Sequence, residues 1–309
     1  MASPRKRLPA NAPGDFYVDR TCIDCGTCRW VAPESLDAHG DASRVFRQPE
    51  SPHEILRARM AVLACPVAAI GATTVHDLAE ARRAFPDPIE GNVFHCGYHS
   101  AASYGAASYL IVRPEGNVLV DSPRFTGPLV RRLEEFGGVR LMFLTHRDDV
   151  ADHAKFRAHF GCERILHRAD VTRGTHDVEI QPEGTTPVEL DDEITLIPVP
   201  GHTAGSMCLL YRDRFLFTGD HLAWDASRER LVAWRDVCWY DWSEQAESMK
   251  RLRDHRFEWV LPGHGQRVHL PAREMTRALR DCIERMGGEA ALLSREERSE
   301  AKRGASPAT

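Results

Sequence analysis

Three cysteines in one short run, CIDCGTC at Cys22, Cys25 and Cys28, and a fourth 37 residues further on at Cys65, just before Pro66, carry the densest chemistry in the chain. Two-residue spacers let three thiolates of one loop converge on a single inorganic face, and the distant cysteine closes the fourth position. The spacing predicts one 4Fe-4S cluster on Cys22, Cys25, Cys28 and Cys65. Tetrahedral zinc is the alternative, but zinc sites usually use two CxxC pairs rather than a run of three. Gly26 suits a close turn around sulfide, and Pro66 restricts the backbone after the last ligand.

A second constellation is spread over four segments: LTHRDDVADH (His146, Asp148, Asp149, Asp152, His153), PGHTAGS (His202), FTGDHLAW (Asp220) and LPGHG (His264). Each begins or ends a strand-like run, and loops at sheet ends are where ligands from distant positions can meet. Together they predict a site for one or two divalent ions, zinc, iron or manganese. Such an ion lowers the pKa of bound water from 15.7 to about 7. Asp152 and Asp220 are then candidate catalytic groups, able to orient that water and take its proton. His221 is expected to face away and is left out of the ligand set. The group Trp224, Trp234, Trp239, Tyr240 and Trp242 is expected to pack an edge, and HCGYHS (His95 to Ser100) to act locally where two modules join.

The elements that must position these residues fall into two series. From Phe16 to about Gly71 the pattern gives a short FYV strand, the cysteine loop, a helix over His53 to Ala64 and a second short strand near VAAIG. Residues 72–91, with AEARRA and the PDP turn, read as a short helix and a Pro-punctuated linker. Beyond it come SYLIVR, NVLVDS and LMFLTH, with an amphipathic stretch from Phe125 to Phe136 between the last two. ERILH, DVEI, EITLIPVP, SMCLLY and RFLFTGD follow, then helices over Ser243 to His255 and Leu270 to about Leu293. The expected divisions are a flexible 1–15, an iron–sulfur domain 16–71, a linker 72–91, a sheet-rich domain 92–293 and a flexible tail 294–309.

Composition fits this. The 309 residues, 42% hydrophobic, allow about two domains, and 40 Lys+Arg against 45 Asp+Glu argue against a nucleic-acid or membrane-surface partner. No apolar run nears the roughly 18 residues of a spanning helix, and the basic opening lacks a signal peptide's apolar stretch, so the expected compartment is the cytoplasm. Cys96, Cys162, Cys208, Cys238 and Cys282 are expected to be small buried residues. A small-molecule substrate and a redox partner protein are the expected partners.

The segment Tyr17 to Ile70 resembles the single-cluster bacterial ferredoxins, whose CxxCxxC…CP motif it carries intact. That resemblance implies one cluster moving one electron at a time, or sensing redox state. The histidine and aspartate segments resemble the metallo-β-lactamase superfamily, with PGHTAGS, TGDHLAW and LPGHG most similar to its glyoxalase II-like hydrolases, over roughly Phe94 to Leu270. This implies an α+β chain whose larger part is an αββα sandwich of two mixed sheets with helices outside and a metal site at one edge.

One departure changes the chemistry. The superfamily's first motif is HxHxDH, whereas this loop reads HRDDVADH, two residues longer and one histidine short. Anchored at the strand end, the resemblance assigns His146, His202 and Asp220 to one metal, with Asp148 or Asp149 added, and Asp152, His153, Asp220 and His264 to the other. Carboxylate in place of imidazole hardens the first site toward iron or manganese. The leading expectation is a metal-dependent hydrolase of ester or thioester bonds with an appended cluster domain. A redox enzyme with non-haem iron, of persulfide dioxygenase or cluster-fed type, is the second, and a non-enzymatic sensor or electron carrier the third.

Overall fold

In the computed structural model of the chain, residues 2–304 are described. The amino-terminal region is built from β1 (Phe16–Val18), α1 (Thr27–Val31), the hairpin β2 (Leu36–His39) and β3 (Ala42–Val45), α2 (Pro52–Ala64) and β4 (Ile70–Ala72), with β1 antiparallel to β4. Helix α2 starts where the expected helix does. Ser51 accepts from the Glu54 amide and Glu54 reaches back to the Ser51 amide, a reciprocal cap of about 1 kcal/mol.

The lead-in is more ordered than its composition implies. The Asn11 carboxamide accepts from the amides of Val18 and Val45 and donates to the Val18 carbonyl, tying the first residues to β1 and β3. The expected linker also has structure: α3 (Ala79–Arg83) forms from AEARRA, and β5 (Asp87–Glu90) enters a sheet. Arg57 of α2 donates to both carboxylate oxygens of Asp87 at 2.9 Å, and Arg124 to the Leu63 carbonyl at 3.0 Å. The small domain and the first sheet therefore belong to one compact unit, formed by the residues up to Leu166 with Val171–Pro182 and Gly263–Gln266.

That first sheet has the order β10-β9-β8-β7-β6-β5, where β6 is Val93–His95, β7 Tyr109–Ile111, β8 Val118–Val120, β9 Leu141–Phe143 and β10 Glu163–Ile165. Strands β5 to β8 meander antiparallel, and β8, β9 and β10 run parallel through crossovers by α4 (Gly127–Glu135) and α5 (His153–Phe160). Strands β7 and β8 are buried at every residue, so both sheet faces are covered.

The second unit comprises His167–Asp170, Glu183–Pro262 and the chain from Arg267 on. Its sheet runs β11 (Val188–Asp191), β12 (Ile194–Pro198), β13 (Met207–Tyr211), β14 (Phe215–Gly219), β17 (Trp259–Pro262) and β18 (Val268–His269). The small hairpin of β15 (Ala223–Asp225) and β16 (Arg230–Val232), and the helices α6 (Trp242–Met249) and α7 (Ala272–Gly304), complete it. EITLIPVP, SMCLLY and RFLFTGD become β12, β13 and β14, whereas DVEI makes only a bridge, Ile180 to Ile165. Helix α7 continues through residues 294–304, where a tail was expected; 305–309 lie outside the described residues. Among the described residues no helix is long and apolar enough to cross a membrane.

Candidate functional site: a cysteine-lined cavity and two sets of histidine and aspartate residues

Cys22 and Cys25 lie in the loop before α1, Cys28 on its first turn, and Cys65 at the end of α2. Asp24 and Gly26, at φ 56° and 76°, turn the loop so that all four thiols line one cavity together with Val18, Ile70 and other apolar groups. No disulfide joins them. Backbone amides of Ser43 and Ala69 donate to the sulfurs of Cys22 and Cys65 at 3.4 and 3.2 Å. Burial pushes the Cys28 thiol up to about 12 and raises those of Cys25 and Cys65, and the neighbouring cysteines push the same way. Such a set resists becoming four bare thiolates, and a cationic iron–sulfur core removes that penalty, so the residues fit a cluster.

The sheet-rich part closes on this cavity. At Gly105, φ is +85°, and a Cβ would stand 2.7 Å from the Cβ of Cys25 and 3.0 Å from its sulfur. Thr27 Oγ1 lies 3.4 Å from that sulfur, 3.1 Å from His99 Nδ1 and 3.3 Å from the Gly105 carbonyl. His99 and His95 are buried, with Nε2 atoms 2.7 Å apart, and Trp30 packs beside both rings. HCGYHS is therefore local to the join, as its position implied.

In the first unit, Asp121 ends β8 at φ 55° and accepts from the amide and hydroxyl of Thr145, which fixes the turn carrying His146. His146 is buried. Its Nδ1 lies 3.9 Å from Asp149 Oδ2 and its Nε2 3.9 Å from Asp148 Oδ2; Asp149 is buried with it, while the Asp148 side chain is 45% exposed. His264 belongs to the same unit, where the Gly263 carbonyl accepts from the Ala107 amide and the Tyr104 ring lies 6.3 Å from the imidazole.

Asp152 and His153, the other half of the loop's motif, are engaged elsewhere. Asp152 precedes α5 and accepts from the Phe125 amide at 2.8 Å and the Lys155 ammonium at 2.7 Å. Burial works to raise its pKa, but these bonds win and hold it below the usual carboxylate range. His153 Nδ1 accepts from the buried guanidinium of Arg164 at 3.0 Å, and burial with that cation pushes its pKa down.

In the second unit, His202 follows β12 and Asp220 follows β14, bringing His202 Nε2 within 3.6 Å of Asp220 Oδ2. The PGHTAGS loop is gripped by Asp170, which accepts from the Thr203 hydroxyl at 2.5 Å and the Gly205 amide at 2.8 Å. The His202 carbonyl accepts from the amides of Trp239 and Tyr240. Those two rings, expected to pack, are 61% and 55% exposed, because the Arg235–Val237 turn carries them outward; Trp242 is buried as expected. His221, expected to face away, is buried beside Asp220, and neither ring nitrogen has a hydrogen-bond partner among the described residues. Burial, with His202 and Arg251 nearby, holds its pKa down at about 3. Asp170 carried no motif signal. Cys96, Cys162, Cys208 and Cys282 are buried and Cys238 partly so.

Comparison with known proteins gives the small domain a family. Residues 18–72 match the 4Fe-4S single cluster domain of Ferredoxin I. That match covers the small domain and leaves the sheet-rich part outside it. Among solved structures, ETHE1 from Myxococcus xanthus is 20% identical, covering 63% of this chain and 89% of its own, with a TM-score of 0.45. The BLEG-1 B3 metallo-beta-lactamase is 16% identical over 57% of this chain and 93% of its own, at 0.47. An archaeal metallo-beta-lactamase superfamily protein from Sulfolobus tokodaii is 17% identical over 63% and 86%, at 0.43. No curated protein matches the chain. The matched residues include all four cysteines of the cavity, and the histidine and aspartate candidates all lie outside them.

Proposed function

We propose that the chain is a redox enzyme in which His146, His202 and Asp220, two imidazoles and a carboxylate, hold one iron ion, with Asp148, Asp149 and His264 as further candidate ligands. That donor set has the two-histidine, one-carboxylate count of mononuclear non-haem iron sites. When bound, the cluster supplies one electron at a time, received from an external one-electron donor protein, and the ion supplies a centre where that electron meets a small-molecule substrate.

The observation that carries the reading is the close approach of Gly105 to Cys25, which sets one corner of the cluster cavity against the sheet-rich part that bears the histidine and aspartate candidates. Hydrolysis moves no electrons, and Asp152, one of the two carboxylates the hydrolytic reading gives a catalytic part, accepts from the Phe125 amide and the Lys155 ammonium. Asp121 and Asp170 hold the loops of His146 and His202 in place, and the exposed rings of Trp239 and Tyr240 offer a wall to the substrate.

The test is the metal content of anaerobically purified full-length protein. The proposal expects about five irons per chain, falling to about four in both His146→Ala and Asp220→Ala while the cluster's visible absorption stays. About four irons with zinc beside them, together with zinc-dependent thioester or lactone turnover, would replace it with the hydrolase.

A further inference from the structure

Among the described residues, Cys25 is the cluster ligand whose side-chain hydrogen bond leads out of the ferredoxin domain. Thr27 Oγ1 touches the Cys25 sulfur at 3.4 Å, and on its other side meets His99, 72 residues away in the sheet-rich part. The protons along this line can be placed from the acceptors alone. The Gly105 carbonyl, 2.7 Å from His99 Nδ1, can only accept, so Nδ1 carries the proton. A neutral His99 then has a bare Nε2, and the 2.7 Å contact to His95 Nε2 requires His95 to donate there. Burial, opposed by the Gly105 carbonyl and assisted by nearby His264, holds the His99 pKa down at about 4, which keeps the ring neutral at physiological pH.

Thr27 has one hydroxyl proton and two acceptors for it, the Cys25 sulfur and the Gly105 carbonyl. His99 decides between them. Its Nδ1–H makes the shorter bond to the Gly105 carbonyl, 2.7 Å against 3.3 Å for Thr27, and also points at the Thr27 oxygen at 3.1 Å, which turns the hydroxyl proton toward the thiolate.

We infer that Thr27 and His99 act as positioning residues for the cluster, delivering from the sheet-rich part a hydrogen bond to the Cys25 sulfur that raises the cluster's reduction potential. The physical basis is general: a hydrogen bond to a cluster sulfur stabilises the more negative, reduced state. Gly105 makes the approach feasible, since any side chain there would meet Cys25 and Pro66. The inference needs only the ferredoxin cluster, and it stands whether the second metal proves to be iron or zinc.

The experiment is a potentiometric titration of the cluster in full-length protein, with about four cluster irons per chain verified for each variant. Thr27→Val is expected to lower the midpoint potential and Thr27→Ser to restore it. His99→Ala is expected to lower it too, because without the imidazole donor pointing at its oxygen the Thr27 hydroxyl turns to the Gly105 carbonyl. The Thr27→Val/His99→Ala double variant should fall no lower than Thr27→Val alone, since both act through one bond. An unchanged potential in His99→Ala, or a double variant shifted by the sum of the two, would overturn the relay. If Thr27→Val assembles no cluster, wild type, Thr27→Ser and His99→Ala carry the comparison: equal potentials in all three refute it.

Discussion

A Cβ on Gly105 would stand 2.7 Å from the Cβ of Cys25, closer than real Cβ contacts come, with φ at +85° besides. The loop at Ser100–Gly105 and the cluster ligand are therefore mutually fitted. Gly105→Ala should clash and strain the backbone at once. The expected outcome is a chain that still folds in its sheet-rich part but loses most of its cluster, read as a fall in iron and in visible absorption with far-ultraviolet circular dichroism little changed.

Asp170 should be important to the His202 loop. Its two oxygens hold Thr203 and Gly205, and removing a buried charged acceptor leaves two donors stranded, at about 2 to 3 kcal/mol. Asp170→Ala should lower the thermal midpoint by roughly 5 °C. It should also weaken metal retention without touching cluster content, measured on one preparation by scanning calorimetry and metal analysis.

Acid stability should depend on Glu179. Burial works to raise its pKa, but hydrogen bonds from Arg164 and Arg157 prevail and bring it from 4.5 to about 2. A depressed folded-state pKa contributes stability that is full above 4.5 and is lost as pH falls toward 2. The thermal midpoint of wild type should therefore drop across that window. Glu179→Gln should start lower at pH 7 and show a shallower drop; a parallel curve would refute the assignment.

Trp239 should report on the second metal. Its ring meets His202 edge-on at 6.4 Å while remaining largely exposed. Loading ferrous or cobaltous ion at the His202 and Asp220 loops should quench tryptophan emission, and Trp239→Phe should remove most of that quenching.

Legibility in the sequence followed the distance between cooperating residues. The cysteine motif could be read because three of its four ligands, Cys22, Cys25 and Cys28, are close in sequence, and β12 to β14 because each is an apolar run between turn residues. The ordered lead-in could not, because Asn11 acquires its role only when β1 and β3 come to its carboxamide. Asp152 and His153 match a metal-binding pattern by spacing, yet a buried arginine 11 residues beyond His153 takes up the imidazole, and spacing alone carries no sign of it. Thr27 and His99 were equally hidden, since nothing local marks a threonine as the partner of a histidine 72 residues away.

The central claim is that the cluster serves a redox metal in the same chain, and electron counting tests it most directly. Oxidised full-length protein would be titrated anaerobically with a one-electron reductant beside His146→Ala. The account predicts that wild type takes up about two electrons per chain and the variant about one, the difference belonging to the second metal. Equal uptake of about one electron by both would contradict it.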